Sequence, residues 1–375
     1  MTMKKNLSIL INSLSGGGAE RVVSILLQAL QSEYEITLVL MNDTIVYEVP
    51  SGVRVAYLEN ADAKESGILK ILKLPLLGWR YSRLCKRLHV DISLSFMYRP
   101  NFINVIAMLF GLKAKCIISE RNTPSQTYGG KGMASVAGRS LVLWLYPKAD
   151  LILPNSKGNA HDLVENFAID PQKIEVIQNP VDVDKIIGLG KESVEDVSFE
   201  GKFTFVSVAR LEVQKNHDIT IRAFAKVPDA DTQLLILGAG DQQQSLQALI
   251  DELGLQKSVK LLGFVKNPYK YMAKSDCFVL SSSREGFPNV LVEALACGLY
   301  VISSDCKSGP KEILEDSKLG MLYKVGDVQE LEVKMRECMS APMDKEKIKK
   351  QNLARLEEFG LEKIVERFKR ALKYA

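Results

Sequence analysis

Histidine is scarce in this chain. Only His89, His161 and His217 occur among 375 residues, and none falls in a metal-binding pattern. Two D-x-D triplets, Asp182/Asp184 and Asp229/Asp231, also lack a neighbouring His or Glu at ligand spacing, so they read as turn and capping aspartates. Neither a metal nor any other cofactor is expected. The six cysteines (Cys85, Cys116, Cys277, Cys297, Cys306, Cys338) never reach C-x-x-C spacing. With no secretory signal ahead of them, they read as reduced, mostly buried thiols of a cytoplasmic protein. No stretch approaches the roughly 20 apolar residues that a membrane span needs. A third glycine is missing too. Gly16 and Gly18 give G-x-G at the opening of the first helix, but Arg21 stands where a dinucleotide fingerprint requires glycine. Asp43 follows the second strand near the place of a ribose-binding acid, yet a side chain at 21 would crowd helix against strand. That weighs against a nicotinamide or flavin enzyme. No nucleic-acid partner is expected, and the oligomeric state is left open.

What is present is an alternation of short apolar strands and helices from end to end. NLSILINSL, YEITLVLMND, DISLSFM, KCIISE and DLILPNS form one series, and FTFVSVARL, TQLLILGAG, VKLLGFV, DCFVLSSS and YVISSD form a second. Strands of this kind separated by helical segments imply parallel sheets covered on both faces. The fold class expected is α/β, as two doubly wound Rossmann-like domains facing each other across a cleft. Pro180 in IQNPVDVDKI marks the seam. The boundaries drawn are 1–178, 179–355 and a terminal helix at 356–375, within one long charged-apolar helix running from DKEKIKK to VERFKRALKY. Charge is uneven: residues 1–180 carry 20 Lys/Arg against 15 Asp/Glu, so the first half holds the attraction for anions.

Ligands of doubly wound sheets bind at the carboxyl ends of the strands, so the motifs there matter most. In SREGFPNVLVEALACG (283–298), Pro288 suits the first turn of a helix and Gly298 the position past its end. Glu285 precedes the helix, while Asn289 and Glu293 share one of its faces. Backbone N–H groups of Asn289, Val290 and Leu291 would make an anion site between the two acids. Carboxylates bracketing such a site suit a phosphate carrying hydroxylated groups on both sides, one acid for a ribose and one for a sugar. The same pattern also fits a helix with one surface Glu and one dipole-favouring Glu. In ARLEVQKN (209–216), Arg210 and Lys215 can converge on a diphosphate, or can simply be solvated cations of a basic loop. Gly238 and Gly240 follow a strand, where backbone can approach a nucleotide closely. The loop SLSGGGAER (13–21) offers the same to an anion in the first half.

Residues 64–89, KESGILKILKLPLLGWRYSRLCKRLH, carry seven Lys/Arg and one Glu with Leu, Ile, Trp79 and Tyr81 between them. The segment can lie on an anionic membrane surface, where each basic residue contributes about 1 kcal/mol. A helix packed on the sheet with a basic solvated face has the same sequence signature.

Taken together, SGGGAER, ARLEVQKN, GFV and the E-x7-E element EGFPNVLVE resemble the retaining glycosyltransferases of the GT-B fold in family 4, over essentially the whole chain. Within that family, LVLMNDTIVYEVP, LKLPLLGWRY, LYPKADLILPNSKGN and NPYKYMAK resemble the branch that builds lipid-linked glycans for protein N-glycosylation. The resemblance implies UDP-N-acetylgalactosamine as donor and a polyprenyl-diphosphate-linked glycan, GalNAc-diacetylbacillosamine on undecaprenyl diphosphate, as acceptor, joined by an α-1,4 bond. It implies that Glu285 holds the donor sugar and Glu293 the ribose, and that Arg210 and Lys215 clamp the diphosphate with help from Gly17 and Gly18 across the cleft. Gly238 and the stretch Gly286, Phe287, Pro288, Asn289, Val290 and Leu291 would line the donor, and Gly263, Phe264 and Val265 would border the uracil. The terminal helix would cross back to the N-terminal domain. Several relatives carry histidine after the glutamate that ends ISE, where this chain has Glu120 then Arg121. The acceptor side is therefore assigned to Glu120, Arg121, Arg99 and Asn101. The enzyme is expected at the cytoplasmic face of the inner membrane, peripheral and without a span.

Other readings remain open at this level. A related family 4 transferase could act on a lipopolysaccharide or capsule precursor, or could polymerise GalNAc. A glycoside hydrolase would use Glu285 and Glu293 as its acid and base. A non-catalytic nucleotide-sugar-binding module would keep the fold without turnover.

Overall fold

The computed structural model of the chain describes residues 4–60, 65–227, 231–340 and 345–374. Two compact units emerge, residues 1–180 with 362–375, and residues 181–361.

In the first unit six parallel strands, β1 (Lys5–Ile11), β2 (Tyr34–Leu40), β3 (Arg54–Tyr57), β4 (Ile92–Phe96), β5 (Lys115–Glu120) and β6 (Leu151–Pro154), lie in the order β3-β2-β1-β4-β5-β6. Ile9, Leu10 and Ile11 are all fully enclosed, which is why β1 is a continuous apolar run and not an alternating one. Helix Gly18–Leu30 buries Val22, Val23, Leu26, Leu27 and Leu30 at helical spacing against this sheet. Ile364, Phe368 and Leu372 of the final helix, Leu361–Tyr374, join the same core.

The second unit repeats the plan. Its strands are β7 (Phe203–Val208), β8 (Thr232–Leu237), β9 (Val259–Gly263), β10 (Cys277–Leu280), β11 (Tyr300–Ser304) and β12 (Met321–Tyr323), ordered β12-β11-β10-β7-β8-β9. In both sheets the first and fourth strands are neighbours from which successive strands wind outward in opposite directions. The crevice beyond the carboxyl ends of such a pair is where doubly wound sheets bind ligands. In the second unit that crevice lies between the loops following β7 and β10, which carry Arg210, Lys215 and Glu285.

Several local expectations need correction. β3 and β12 were not anticipated; both are edge strands of only four and three residues, too short for an apolar pattern to announce them. The terminal segment is two helices, Lys345–Leu356 and Leu361–Tyr374, not one. Phe359 is buried in the break, and its carbonyl accepts from the Val181 amide at 2.9 Å. Asp182 caps helix Val183–Gly190 by accepting from the Lys185 amide at 3.0 Å, and Asp184 sits in its first turn. Asp229 lies outside the described residues. All six cysteines are free, and burial pushes the Cys85, Cys297 and Cys306 thiols up to about 12, which disfavours their thiolate forms.

The basic segment forms helices Gly67–Leu72 and Leu74–Arg87; Lys64 lies outside the described residues. Leu74, Leu77, Tyr81 and Cys85 face the core, while Ile68, Leu72, Leu76 and Trp79 are exposed. A second helix of the same unit, Met133–Leu145, exposes Met133, Val136 and Trp144, and its Ala134 stands near Gly67. Among the described residues no helix is long and apolar enough to cross a membrane.

Candidate active site

Strand β7 ends at Val208, and the chain then runs through a loop that closes with a short 3-10 turn, Val213–Lys215, and Asn216 at φ 49°. The loop after β10 lies directly against it. Ser281 Oγ donates to the Lys215 carbonyl at 2.7 Å, and the Ser283 amide donates to the Gln214 carbonyl at 2.9 Å, with its hydroxyl doing the same at 3.1 Å. Arg284 Nε adds a bond to Gln214 Oε1 at 3.0 Å. These contacts join residues about seventy positions apart. They place Lys215 Nζ 2.6 Å from Glu285 Oε1, with both side chains largely withdrawn from water. Arg210 is 72% exposed and pairs with Glu212 at 2.7 Å. The crevice thus holds two cations, each matched by a carboxylate of the chain itself.

The Gly286–Phe287–Pro288 turn leads into helix Asn289–Ala296. Pro288 stands one residue before the helix proper, and Gly298 turns at φ 78° just past its C-cap, Cys297. Phe287 is buried edge-on against Phe359, with ring centroids 5.3 Å apart, which anchors the turn. One expected phosphate donor is already used: the Leu291 amide donates to the Pro288 carbonyl at 3.0 Å, because the first turn is tight. Asn289 and Val290 remain half-buried at the helix start, and Glu293 is buried one turn further along. On the sheet's other flank, β9 ends at Gly263, Phe264 is 81% exposed and Val265 packs partly on the core.

Two glycines have packing reasons that local sequence could not reveal. Gly238 has φ 151°, and a side chain there would collide with the Ala209 carbonyl. Its smallness admits the neighbouring Arg210 loop, not only a nucleotide. Gly309 has φ 91°, and a Cβ would fall 2.5 Å from Pro288 Cδ and 2.9 Å from the Gly286 carbonyl oxygen. The loop 305–309 can therefore lie against the turn that precedes the helix. Sequence reasoning passed over Gly309, Gln214, Ser281 and Ser283; the Ser-Gly-Pro step at 308–310 and the serine run ending β10 are the signals that could have found them.

His217 is buried behind the cation loop, its Nδ1 3.5 Å from Ser207 Oγ. Burial, reinforced by the Lys215 charge, pushes it down to about 4. The charged imidazolium form is thereby disfavoured. Among the described residues no group of three or more His, Cys, Asp or Glu side chains could hold a metal ion.

The residues assigned to the acceptor lie in the first unit. Glu120 ends β5 fully buried, accepting from the Arg121 and Asn122 amides at 2.8 and 3.1 Å and from Tyr146 Oη at 2.7 Å. Burial pushes its carboxyl up to about 7 despite those bonds, and burial likewise pulls Arg121 down to about 9. Arg121 Nη1 donates to Asn179 at 2.8 Å, and its guanidinium stacks over Phe96, while Nε and Nη2 are buried without a partner. Asn101 is fully enclosed: its amide donates to the Ser119 carbonyl and Tyr146, and its oxygen accepts from Ser95. It holds the neighbourhood of Glu120 in shape. Arg99 is set apart from this network, paired with Glu59 at 2.6 Å. Gly17 caps helix Gly18–Leu30 in an exposed loop, with the Glu20 carboxylate folded over it.

Comparison with known proteins matches this architecture. The family described as Glycosyltransferase Family 4 matches residues 16–185, and that described as Glycosyl transferases group 1 matches residues 191–355. A relative from Campylobacter jejuni, N-acetylgalactosamine-N,N'-diacetylbacillosaminyl-diphospho-undecaprenol 4-alpha-N-acetylgalactosaminyltransferase, is 46% identical over 86% of this chain and 86% of its own. A second C. jejuni protein, GalNAc-alpha-(1->4)-GalNAc-alpha-(1->3)-diNAcBac-PP-undecaprenol alpha-1,4-N-acetyl-D-galactosaminyltransferase, is 28% identical over 86% of this chain and 85% of its own. In fold, the chain is similar to Anabaena HepE, solved in complex with UDP and glucose, at a TM-score of 0.80 and 20% identity, covering 99% of this chain and 100% of that one. Sucrose-phosphate synthase from Thermosynechococcus elongatus is similar at a TM-score of 0.84 and 16% identity, covering 99% of each chain. Both halves of the molecule thus match halves of one enzyme family, in the right order and over nearly their full length. The chain belongs to glycosyltransferase family 4, with a group 1 transferase domain as its second half.

Proposed function

We propose that this enzyme moves N-acetylgalactosamine from UDP-N-acetylgalactosamine to GalNAc-diacetylbacillosamine on undecaprenyl diphosphate, with retention, forming an α-1,4 bond. The observation that carries the substrate assignment is the 46% identity, over 86% of both chains, to the C. jejuni transferase that bears this activity in its name. The crevice between the β7 and β10 loops supports the chemistry. Arg210 and Lys215 hold the diphosphate, Glu285 the sugar hydroxyls and Glu293 the ribose, while Gly263, Phe264 and Val265 border the uracil. As the C1–O bond breaks, oxocarbenium character develops at C1 and negative charge on the leaving diphosphate, which the two cations stabilise. The acceptor hydroxyl attacks the same face, and the departing β-phosphate oxygen takes its proton. His217 is enclosed, its charged form disfavoured, and no step requires it. No metal is assigned a role. On the acceptor side, Arg121 is assigned to a substrate oxygen; its Nε and Nη2 are donors without a partner, enclosed beside Phe96.

Mass spectrometry of a short polyprenyl-diphosphate GalNAc-diacetylbacillosamine incubated with a panel of UDP-sugars tests this directly. The expected result is one added HexNAc from UDP-N-acetylgalactosamine alone, undiminished by EDTA and weakened by Arg121→Ala. Transfer of another sugar, or UDP release without acceptor modification, sinks the assignment. Addition of several residues would favour the polymerising activity named for the 28% identical relative.

The exposed apolar side chains of Gly67–Leu72, Leu74–Arg87 and Met133–Leu145, set among Lys70, Lys73, Arg80, Arg83, Lys86 and Arg87, support peripheral attachment at the cytoplasmic face of the inner membrane. Binding to vesicles containing anionic lipid is expected to fall steeply as salt rises. Equal binding to neutral and anionic vesicles, or none to either, would contradict it.

A further inference from the structure

The guanidinium read above as a diphosphate ligand is already occupied. Arg210 Nη1 lies 2.7 Å from Glu212 Oε1, and the other carboxylate oxygen, Oε2, accepts from Gln214 Nε2 at 3.0 Å. Gln214 is itself fixed, through Oε1 to Arg284 and through its carbonyl to Ser283. Glu212 is therefore not a loose surface acid that meets Arg210 by chance; a bound amide holds it there. Its backbone is committed as well, since its N–H donates to the Arg210 carbonyl and its carbonyl accepts from the Lys215 amide, each at 2.9 Å. The pair is nonetheless solvent-accessible, with Arg210 72% and Glu212 33% exposed, so it can exchange without a buried charge being stranded. Glu212 also lines a groove of about 510 Å³ whose wall includes Asn216, Arg222 and Gln242 beside apolar side chains, so a displaced carboxylate has open space to move into.

We infer that Glu212 is a positioning residue that sets donor affinity, a resident counter-ion on Arg210 that the diphosphate displaces on arrival and that recaptures Arg210 as the diphosphate leaves. The inference rests on the reading of Arg210 as a diphosphate ligand. Two anions then compete for one guanidinium, and each binding event begins by breaking the Arg210–Glu212 ion pair. Removing the resident charge while keeping its shape should favour the incoming anion.

Calorimetric titration with UDP of the wild type, Glu212→Gln, Arg210→Ala and the double variant is the test. Glu212→Gln is expected to lower the UDP Kd about three- to tenfold at low salt, with the gain shrinking in concentrated salt as exposed charges are screened. In the Arg210→Ala background the same substitution should change Kd less than about twofold, the non-additivity that marks a shared partner. KM for the UDP-sugar should fall in Glu212→Gln while kcat does not rise, a split that general loosening of the loop would not produce. Unchanged or weaker UDP binding by Glu212→Gln overturns the inference, as does an equal gain without Arg210. Failure of the wild type to bind UDP would instead overturn the proposed function.

Discussion

Replacing Lys215 with alanine should lower kcat/KM by about two to three orders of magnitude, the usual consequence of removing one preorganised charge from a developing oxyanion, worth about 2.7–4 kcal/mol. The expectation is this large because the ammonium is not a mobile surface charge. Lys215 is 16% exposed, follows a tight turn, and has its carbonyl held by Ser281 at 2.7 Å. Its stabilisation matters most when charge accumulates on the leaving diphosphate, so kcat should fall and not KM alone. A second consequence comes from Glu285, 13% exposed, which loses one of its partners, the ammonium at 2.6 Å. Taking a cation from a nearly buried carboxylate is destabilising, so the melting temperature should drop as well. Lys215→Arg separates the two effects: it restores charge to Glu285, and hence stability, but presents a planar fork where a compact ammonium stood. Steady-state rates at saturating donor, together with thermal melts, check both. A Lys215→Ala enzyme with near-normal kcat/KM would remove the electrostatic account of leaving-group departure.

Gly309→Val should raise donor KM at least tenfold while the protein still folds. At φ 91° a β-branched residue carries a backbone penalty of about 1–3 kcal/mol. Its Cβ would also fall 2.5 Å from Pro288 Cδ and 2.9 Å from the Gly286 carbonyl oxygen. One side must move. The clash falls on the Gly286–Pro288 backbone itself, so although the Phe287 ring is held by Phe359, part of the strain is taken up by the Gly286 carbonyl, the Pro288 ring and the start of the helix that follows. That displaces the residues assigned to the donor without touching either cation. Comparing UDP affinity of Gly309→Ala and Gly309→Val gives a graded series. Wild-type affinity in both would mean that the turn does not shape the donor site.

The second half of the chain was largely legible in advance because its signals are local. Pro288 and Gly298 bracket a helix observed at Asn289–Ala296, and ten of the twelve strands announce themselves as apolar runs ending in polar residues. What escaped detection depends on partners distant in sequence. The serines ending β10 look like loop filler until the Gln214 and Lys215 carbonyls are brought beneath them. A glycine after a strand reads the same whether it admits a ligand or another backbone, so the Ala209 carbonyl beside Gly238 could not be foreseen. The terminal segment reads as one helix because its charged-apolar period runs on through 356–361. The break there is set by the burial of Phe359 and its bond to Val181, about 180 residues earlier. In the acceptor region, the bonds of Asn101 to the Ser119 carbonyl and to Tyr146, 18 and 45 residues away, are equally invisible to a local reading.

The bonds from Ser281 and Ser283 end on main-chain oxygens, not on the side chains of Gln214 and Lys215. Shape and electrostatic tuning are thereby decoupled. The side chain at 212 makes none of the bonds between the two loops, so it can be exchanged without changing where the loop lies, and grip on the nucleotide can be adjusted, by natural drift or by an engineer, while the ammonium at 215 stays in register.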